Sequence, residues 1–276
     1  MSGTHKIGVF DSGLGGLLIT KAIRDYLPDY DIVYLGDTLN VPYGNRSTDA
    51  VYAHSVAAIR YLFEQQDCTL VIMACNTANA SALRKMQQEF LTRHYPDRRI
   101  LGVVVPTLEE AHEMRHKRIG LLATHTMVMS NVYEEELHKI DPDIELFSQS
   151  CPLLVPLIEN DGMKWIEPIL DEYVQPLICA NVQSIILGCT HYPLLKNHIK
   201  KALNGADIKL ISQDEIVPAK LMDYLHRHPE IDDNLSKSKN TKLLVTDMTT
   251  AYQKTASQIY GEDVCLQKVS VAGGEQ

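Results

Sequence analysis

"LVIMACNTANA", residues 70–80, decides how this chain is read. An apolar run from Leu70 to Met73 meets a small residue, Ala74, and then a thiol, an amide and a hydroxyl in Cys75, Asn76 and Thr77. A short apolar run that is continuous rather than alternating marks a strand covered on both faces. "SIILGCTHYPL", residues 184–194, repeats the layout: apolar strand, Gly188, Cys189, then Thr190 and His191 opening a helix. Two such stretches in one chain predict a pseudo-repeat, two α/β units that each offer one thiol at a strand end.

Short apolar runs alternate with amphipathic stretches on either side. Strands are expected at Lys6–Phe10, Ile32–Gly36, Leu70–Ala74, Ile100–Val105, Arg118–Ala123, Ile144–Gln149, Ser184–Gly188, Ile208–Ile211 and Lys242–Val245. Helices are expected between them, among them Gly15–Leu27, Thr48–Gln66, Thr77–Arg93, Leu108–His116, Ser130–Lys139 and Trp165–Cys179. The polar stretch 228–241 reads as a mobile loop. Strands alternating with helices imply βαβ units. The expected fold class is therefore α/β, with two pseudo-symmetric α/β domains whose mainly parallel sheets face a central cleft. The first domain would comprise residues 1–100 plus 212–276 and the second residues 101–211, so that the chain crosses twice and domain closure can exclude water. Sites in such sheets lie beyond the carboxyl ends of the strands. There the sequence places Asp11-Ser12-Gly13, Asp37-Thr38, Cys75-Asn76-Thr77 and Cys189-Thr190-His191.

Composition narrows the function classes. The 276 residues carry a net charge of −9, and Arg98-Arg99 and His116-Lys117-Arg118 are too short to form a basic stripe. A backbone-driven nucleic-acid partner is not expected. The opening "MSGTHKIGVFDSG" has neither the apolar core nor the cleavage site of a signal peptide, and no apolar run approaches a membrane span. A cytoplasmic protein without membrane contact is the expectation. The six cysteines form no CxxC pair and read as free thiols. Cys68, Cys179 and Cys265 are given no function, and Cys151 is read as a packed residue near the cleft.

Two thiols on opposite walls of a cleft suit inversion of a carbon stereocentre. A proton leaves one face and another returns to the other, with thiolate as base, thiol as acid, and the roles exchanged with substrate handedness. A thiol at a helix N-terminus is favoured as thiolate by the dipole and the free N–H groups. Asp11 is placed to orient or deprotonate Cys75, and His191, two residues beyond Cys189, to do the same on the other side. Ser12, Asn76, Thr77 and Thr190, with helix-start N–H groups, suit substrate carboxylates.

"FDSGLGG", "VPYG", "ACNTA", "CPLLVPLIE" and "GCTHYP" occur in this order. With them the chain resembles the cofactor-independent glutamate racemases of the aspartate/glutamate racemase superfamily, over nearly its whole length. The resemblance implies Cys75 and Cys189 as the catalytic acid/bases, with Asp11 and His191 assisting and Glu159 supporting His191. It implies Asp11, Ser12, Tyr43, Gly44, Asn76, Thr77, Thr190 and His191 as the residues that hold glutamate. It further implies an isomerase that makes D-glutamate for peptidoglycan and the cell wall, with no cofactor and no metal, and homodimerisation, although no interface is legible. Three stretches depart from the family pattern. Val105-Pro106-Thr107 stands for a common Glu-Pro-Gly, "ATHTMVMS" carries His125, and "ISQDE" replaces Asp-Ser-Ala. None touches an expected catalytic position; they bear on specificity, interdomain motion and dimer contacts.

Each signal has a plainer reading. Gly13, Gly15 and Gly16 form GxGG rather than a dinucleotide or P-loop fingerprint, and a tight strand–helix turn is preferred. "VPYG" alone would be a proline turn. Either cysteine alone would be a small buried hydrophobe; the pairing reverses that. His112 and His116 have helical spacing but lack the neighbours of a zinc helix. A racemase of aspartate or another small acidic amino acid is the nearest alternative. A one-thiol decarboxylase is disfavoured by the second thiol, and a Cys-dependent hydrolase would need an oxyanion hole and a leaving-group acid.

Overall fold

The computed structural model describes residues 3–160 and 162–271. Its contacts divide the chain into two units, Met1–Val103 with Val217–Gln276, and Val104–Ile216.

The first unit is built on a six-stranded sheet. Its strands are β1 (Lys6–Asp11), β2 (Ile32–Gly36), β3 (Cys68–Met73), β4 (Arg99–Gly102), β9 (Thr241–Val245) and β10 (Leu266–Lys268), in the spatial order β10-β9-β2-β1-β3-β4. Every pairing is parallel. All of β2 and the last five residues of β1 are buried, because helices cover both faces and no polar side chain faces water there. The second unit holds β5 (Arg118–Ala123), β6 (Glu145–Ser150), β7 (Ser184–Gly188) and β8 (Lys209–Ser212), also wholly parallel, in the order β6-β5-β7-β8.

The pseudo-repeat is visible in this topology. The order β2-β1-β3-β4 in one sheet is matched by β6-β5-β7-β8 in the other. In both, the order reverses between the first and third strands of the unit, the place where open α/β sheets bind ligands. Cys75 follows β3 and Cys189 follows β7, so each thiol stands at the corresponding reversal point.

Several elements differ from expectation. The strand expected at Ile100–Val105 stops at Gly102, and Val104–Glu113 is a helix. Three β-branched valines favour a strand locally. Pro106 lies in the first helical turn, however, where its missing N–H costs nothing, and the Val103 N–H is taken by the Asn79 side chain. The helix expected at Ser130–Lys139 is found at Val132–Ile140, and an unforeseen helical turn, His125–Met129, precedes it, parted from it by Asn131 at φ +53°. The run expected over Thr77–Arg93 contains π-helical turns at Asn79–Leu83 and Met86–Leu91. The segment 228–241 includes a helical turn, Pro229–Asp232. It is tied to buried Asp31, whose carboxylate accepts from Ser236 Oγ at 2.7 Å and from the Ser238 and Asn240 N–H groups at 3.1 and 2.9 Å. β10 went unforeseen; three residues at a sheet edge leave too short a pattern to read.

Candidate active site

In the first unit, β1 ends in Asp11, which is 1% exposed. Its Oδ2 accepts from the N–H groups of Gly13 and Gly16 at 3.2 and 3.1 Å, so the carboxylate holds the turn that follows it. A Cβ on Gly16 would stand 2.5 Å from Asp11 Cβ, so glycine is required for this close approach. The GxGG stretch is thus a strand–helix turn organised around Asp11. Ser12, the next residue, brings its Oγ to 3.3 Å from Cys75 Sγ.

Cys75 caps the helical turn Asn76–Ala78, its Sγ accepting from the Ala78 N–H at 3.4 Å. A sulfur in that position takes the role an N-cap oxygen usually plays. Cys75 is 5% exposed, and Asn76 and Thr77 are buried beside it at 3% and 5%.

The "VPYG" stretch forms a single 3-10 turn, Tyr43–Asn45. Tyr43 is buried, and its hydroxyl donates to Asp37 Oδ2 at 2.7 Å. Burial first, then the charge and hydrogen bond of Asp37, push the Tyr43 phenol well up, and Cys75 and Asp11 add to this electrostatically. Tyr43 therefore stays protonated, its hydrogen committed to Asp37. Asp37 also accepts from Thr246 Oγ1 at 2.8 Å and from Asn40 Nδ2 at 3.0 Å. This buried carboxylate ties the ends of β2 and β9 to the loop that carries Tyr43 and Gly44.

In the second unit, Cys189, Thr190 and His191 follow β7 and are 7%, 4% and 5% exposed. Cys189 Sγ lies 3.8 Å from His191 Nδ1, and His191 Nε2 lies 2.9 Å from Glu159 Oε1. Glu159 ends the helix Leu154–Glu159. Burial lowers the His191 pKa, but hydrogen bonds to Cys189 and Glu159 and their charges outweigh it, and the imidazole is held well above its ordinary value near 6.5. Protonated His191 thus faces Cys189 on one nitrogen and a carboxylate on the other.

Two further residues surround Cys189. Tyr133, fully buried, accepts from Gln213 Nε2 at 3.1 Å; burial and then the charge of Cys189 raise its phenol. Gln213 belongs to the departing "ISQDE" stretch, so that stretch reaches the neighbourhood of the thiol. Tyr192 donates to the Cys151 carbonyl at 3.2 Å. Burial pushes the Cys68 thiol up to about 12 and also raises that of Cys151.

Sequence reasoning passed over Asp37 as a site residue and missed Tyr133, Gln213 and Asn79. Asp37 had a signal, its place at a strand end. Asn79 had one too, since four residues along a helix from Cys75 shares its face. Tyr133 had none, because 56 residues of chain separate it from Cys189.

Each of the two parallel sheets carries a strand-end thiol with its own polar partner at the matched reversal point. The family model described as Asp/Glu/Hydantoin racemase matches residues 17–214. The chain belongs to this family and is an isomerase, an amino-acid racemase. A glutamate racemase of Sulfurihydrogenibium sp. is 34% identical, over 96% of this chain and 97% of its own length. One of Dinoroseobacter shibae is 39% identical, over 82% and 85%. Among solved structures, glutamate racemase isoform RacE1 from Bacillus anthracis aligns with TM-score 0.87 and 31% identity, over 97% of this chain and 98% of that one. The Francisella tularensis glutamate racemase in complex with D-glutamate aligns with TM-score 0.86 and 31% identity at the same coverage. No helix among the described residues is long and apolar enough to cross a membrane.

Proposed function

We propose that this enzyme interconverts L- and D-glutamate without a cofactor, by two-thiol α-proton transfer, in the cytoplasm, and so supplies D-glutamate for peptidoglycan. The observation that carries the reading is the matched strand order, with a cysteine directly beyond the third strand of each unit. One thiolate removes the α-proton from one face; the opposite thiol returns a proton to the other. Cys75 acts beside Ser12 and Asp11. Cys189 acts beside protonated His191, which Glu159 holds in place. Thr77, Asn76, Thr190 and the turn at Tyr43-Gly44 hold the substrate. Fixed N–H and hydroxyl donors offset the charge that develops on the α-carboxylate. Glutamate is favoured over aspartate by the relatives that are 34–39% identical. The Picrophilus torridus aspartate racemase shares the fold at 19% identity.

The test is α-proton exchange in D₂O followed by NMR, with optical rotation in parallel, on each enantiomer of glutamate and aspartate. Deuterium uptake with loss of rotation for glutamate alone is expected. Exchange with aspartate alone would keep the chemistry and move the substrate; no exchange with any of the four would overturn the reading.

A further inference from the structure

Asn79 takes no part in the reaction just described, yet its side-chain amide is bonded through both Nδ2 and Oδ1. A carboxamide has two N–H donors and an acceptor oxygen. Nδ2 donates to the Met73 carbonyl at 2.6 Å and to the Cys75 carbonyl at 2.8 Å, and Oδ1 accepts from the Val103 N–H at 3.0 Å. The residue is 6% exposed, so these bonds form out of water, where leaving any of the groups unpaired would be costly. Its backbone N–H donates to the Cys75 carbonyl as well, at 2.9 Å.

The geometry has a simple meaning. The β3–β4 ladder ends at the pair Met73 and Gly102. Asn79 stands where the next rung would form, bridging the Met73 carbonyl to the Val103 N–H through its own amide. It thereby closes the end of the ladder and, through the Cys75 carbonyl, pins the residue that carries the thiol. Val103 is the last residue of the first unit before the chain passes into the second. Room for the amide depends on Gly102: a Cβ there would stand 2.2 Å from Asn79 Oδ1 and 2.4 Å from Leu83 Cδ2. The wide π-helical turn beginning at Asn79 falls at the same spot, where such turns commonly serve a local purpose.

We infer that Asn79 is a positioning residue for Cys75: its amide, seated against Gly102, fixes the turn that aims the Cys75 thiol. The inference rests on the reading of Cys75 as an acid/base, but the geometry it asserts can be measured separately.

The experiment uses the full chain with Asn79→Ala and, as an independent perturbation, Gly102→Ala, which keeps Asn79 and denies it room. Iodoacetamide alkylation is followed by peptide mass spectrometry across pH, with Cys189 as the internal reference, and racemisation is measured alongside. In both variants the Cys75 alkylation profile is expected to shift while that of Cys189 does not. The Val103 amide should lose protection from hydrogen exchange in Asn79→Ala. A misplacement of about 1 Å costs on the order of 100-fold, so kcat should fall by about 10- to 100-fold with KM changed far less. An unmoved Cys75 profile in both variants, or equal shifts at Cys75 and Cys189, would overturn the inference. If the Cys75 profile moves but Cys75→Ser still racemises at the wild-type rate, the positioning stands and the acid/base reading of Cys75 fails.

Discussion

Replacing Glu159 by Gln tests the electrostatics of the second thiol most directly. The substitution keeps the shape beside His191 and removes the charge. His191 Nε2 sits 2.9 Å from the Glu159 carboxylate. An opposite charge so close favours the protonated imidazole; a hydrogen bond to a charged group contributes about 1.5–3 kcal/mol, and since the carboxylate is 25% exposed the lower part of that range applies, about 1.5–2 kcal/mol. The Glu159→Gln variant should therefore lower the His191 pKa and cost about 1.5–2 kcal/mol of stability where the ring is protonated. With Cys189 also replaced by Ala, both neighbouring charges are gone and the imidazole pKa should fall further. The stability linkage follows from the sign of the shift. His191 is held above its unfolded value near 6.5, so its contribution is complete below that pH and is lost as pH rises through the native pKa. The stability gap between wild type and Glu159→Gln should accordingly be widest near pH 6 and narrow toward alkaline pH. The assay is a pH titration of the ¹⁵N-labelled imidazole by long-range ¹H–¹⁵N correlation, with urea unfolding at each pH. A His191 midpoint unchanged in Glu159→Gln, or a stability gap that widens with pH, would refute the argument.

Other consequences are open to measurement. Under the proposed mechanism, in which each thiol serves one face, Cys75→Ser and Cys189→Ser should each nearly abolish racemisation measured by circular dichroism; near-wild-type interconversion by either would break the two-thiol mechanism. Gly16→Ala forces a methyl to 2.5 Å from Asp11 Cβ, which should destabilise the fold by about 1–3 kcal/mol in urea titration and displace Asp11. Tyr43→Phe leaves Asp37 with Thr246 and Asn40 but without its 2.7 Å donor; a loss of about 1–3 kcal/mol in unfolding free energy is expected, and no loss would mean that the buried carboxylate is satisfied without Tyr43.

The sequence by itself determined the α/β class, the parallel sheets and the two thiols at strand ends. Leu70–Met73 and Ile185–Leu187 are continuous apolar runs, each followed by a small residue and a cysteine, and burial on both faces requires such runs wherever it occurs. Asp11 with its glycines was legible for a related reason: side chain, turn and helix start lie within six residues. Tertiary structure alone decided what depends on distant partners. Val103 to Val105 look like strand locally, yet β4 ends at Gly102 because an amide 24 residues earlier takes the next N–H. His191 meets Glu159 across 32 residues of chain, and Asp37 receives Thr246 across 209. The charge state of His191 was equally hidden. It is set by burial opposed by two particular neighbours, and which neighbours a buried ring meets is decided only when the chain has packed.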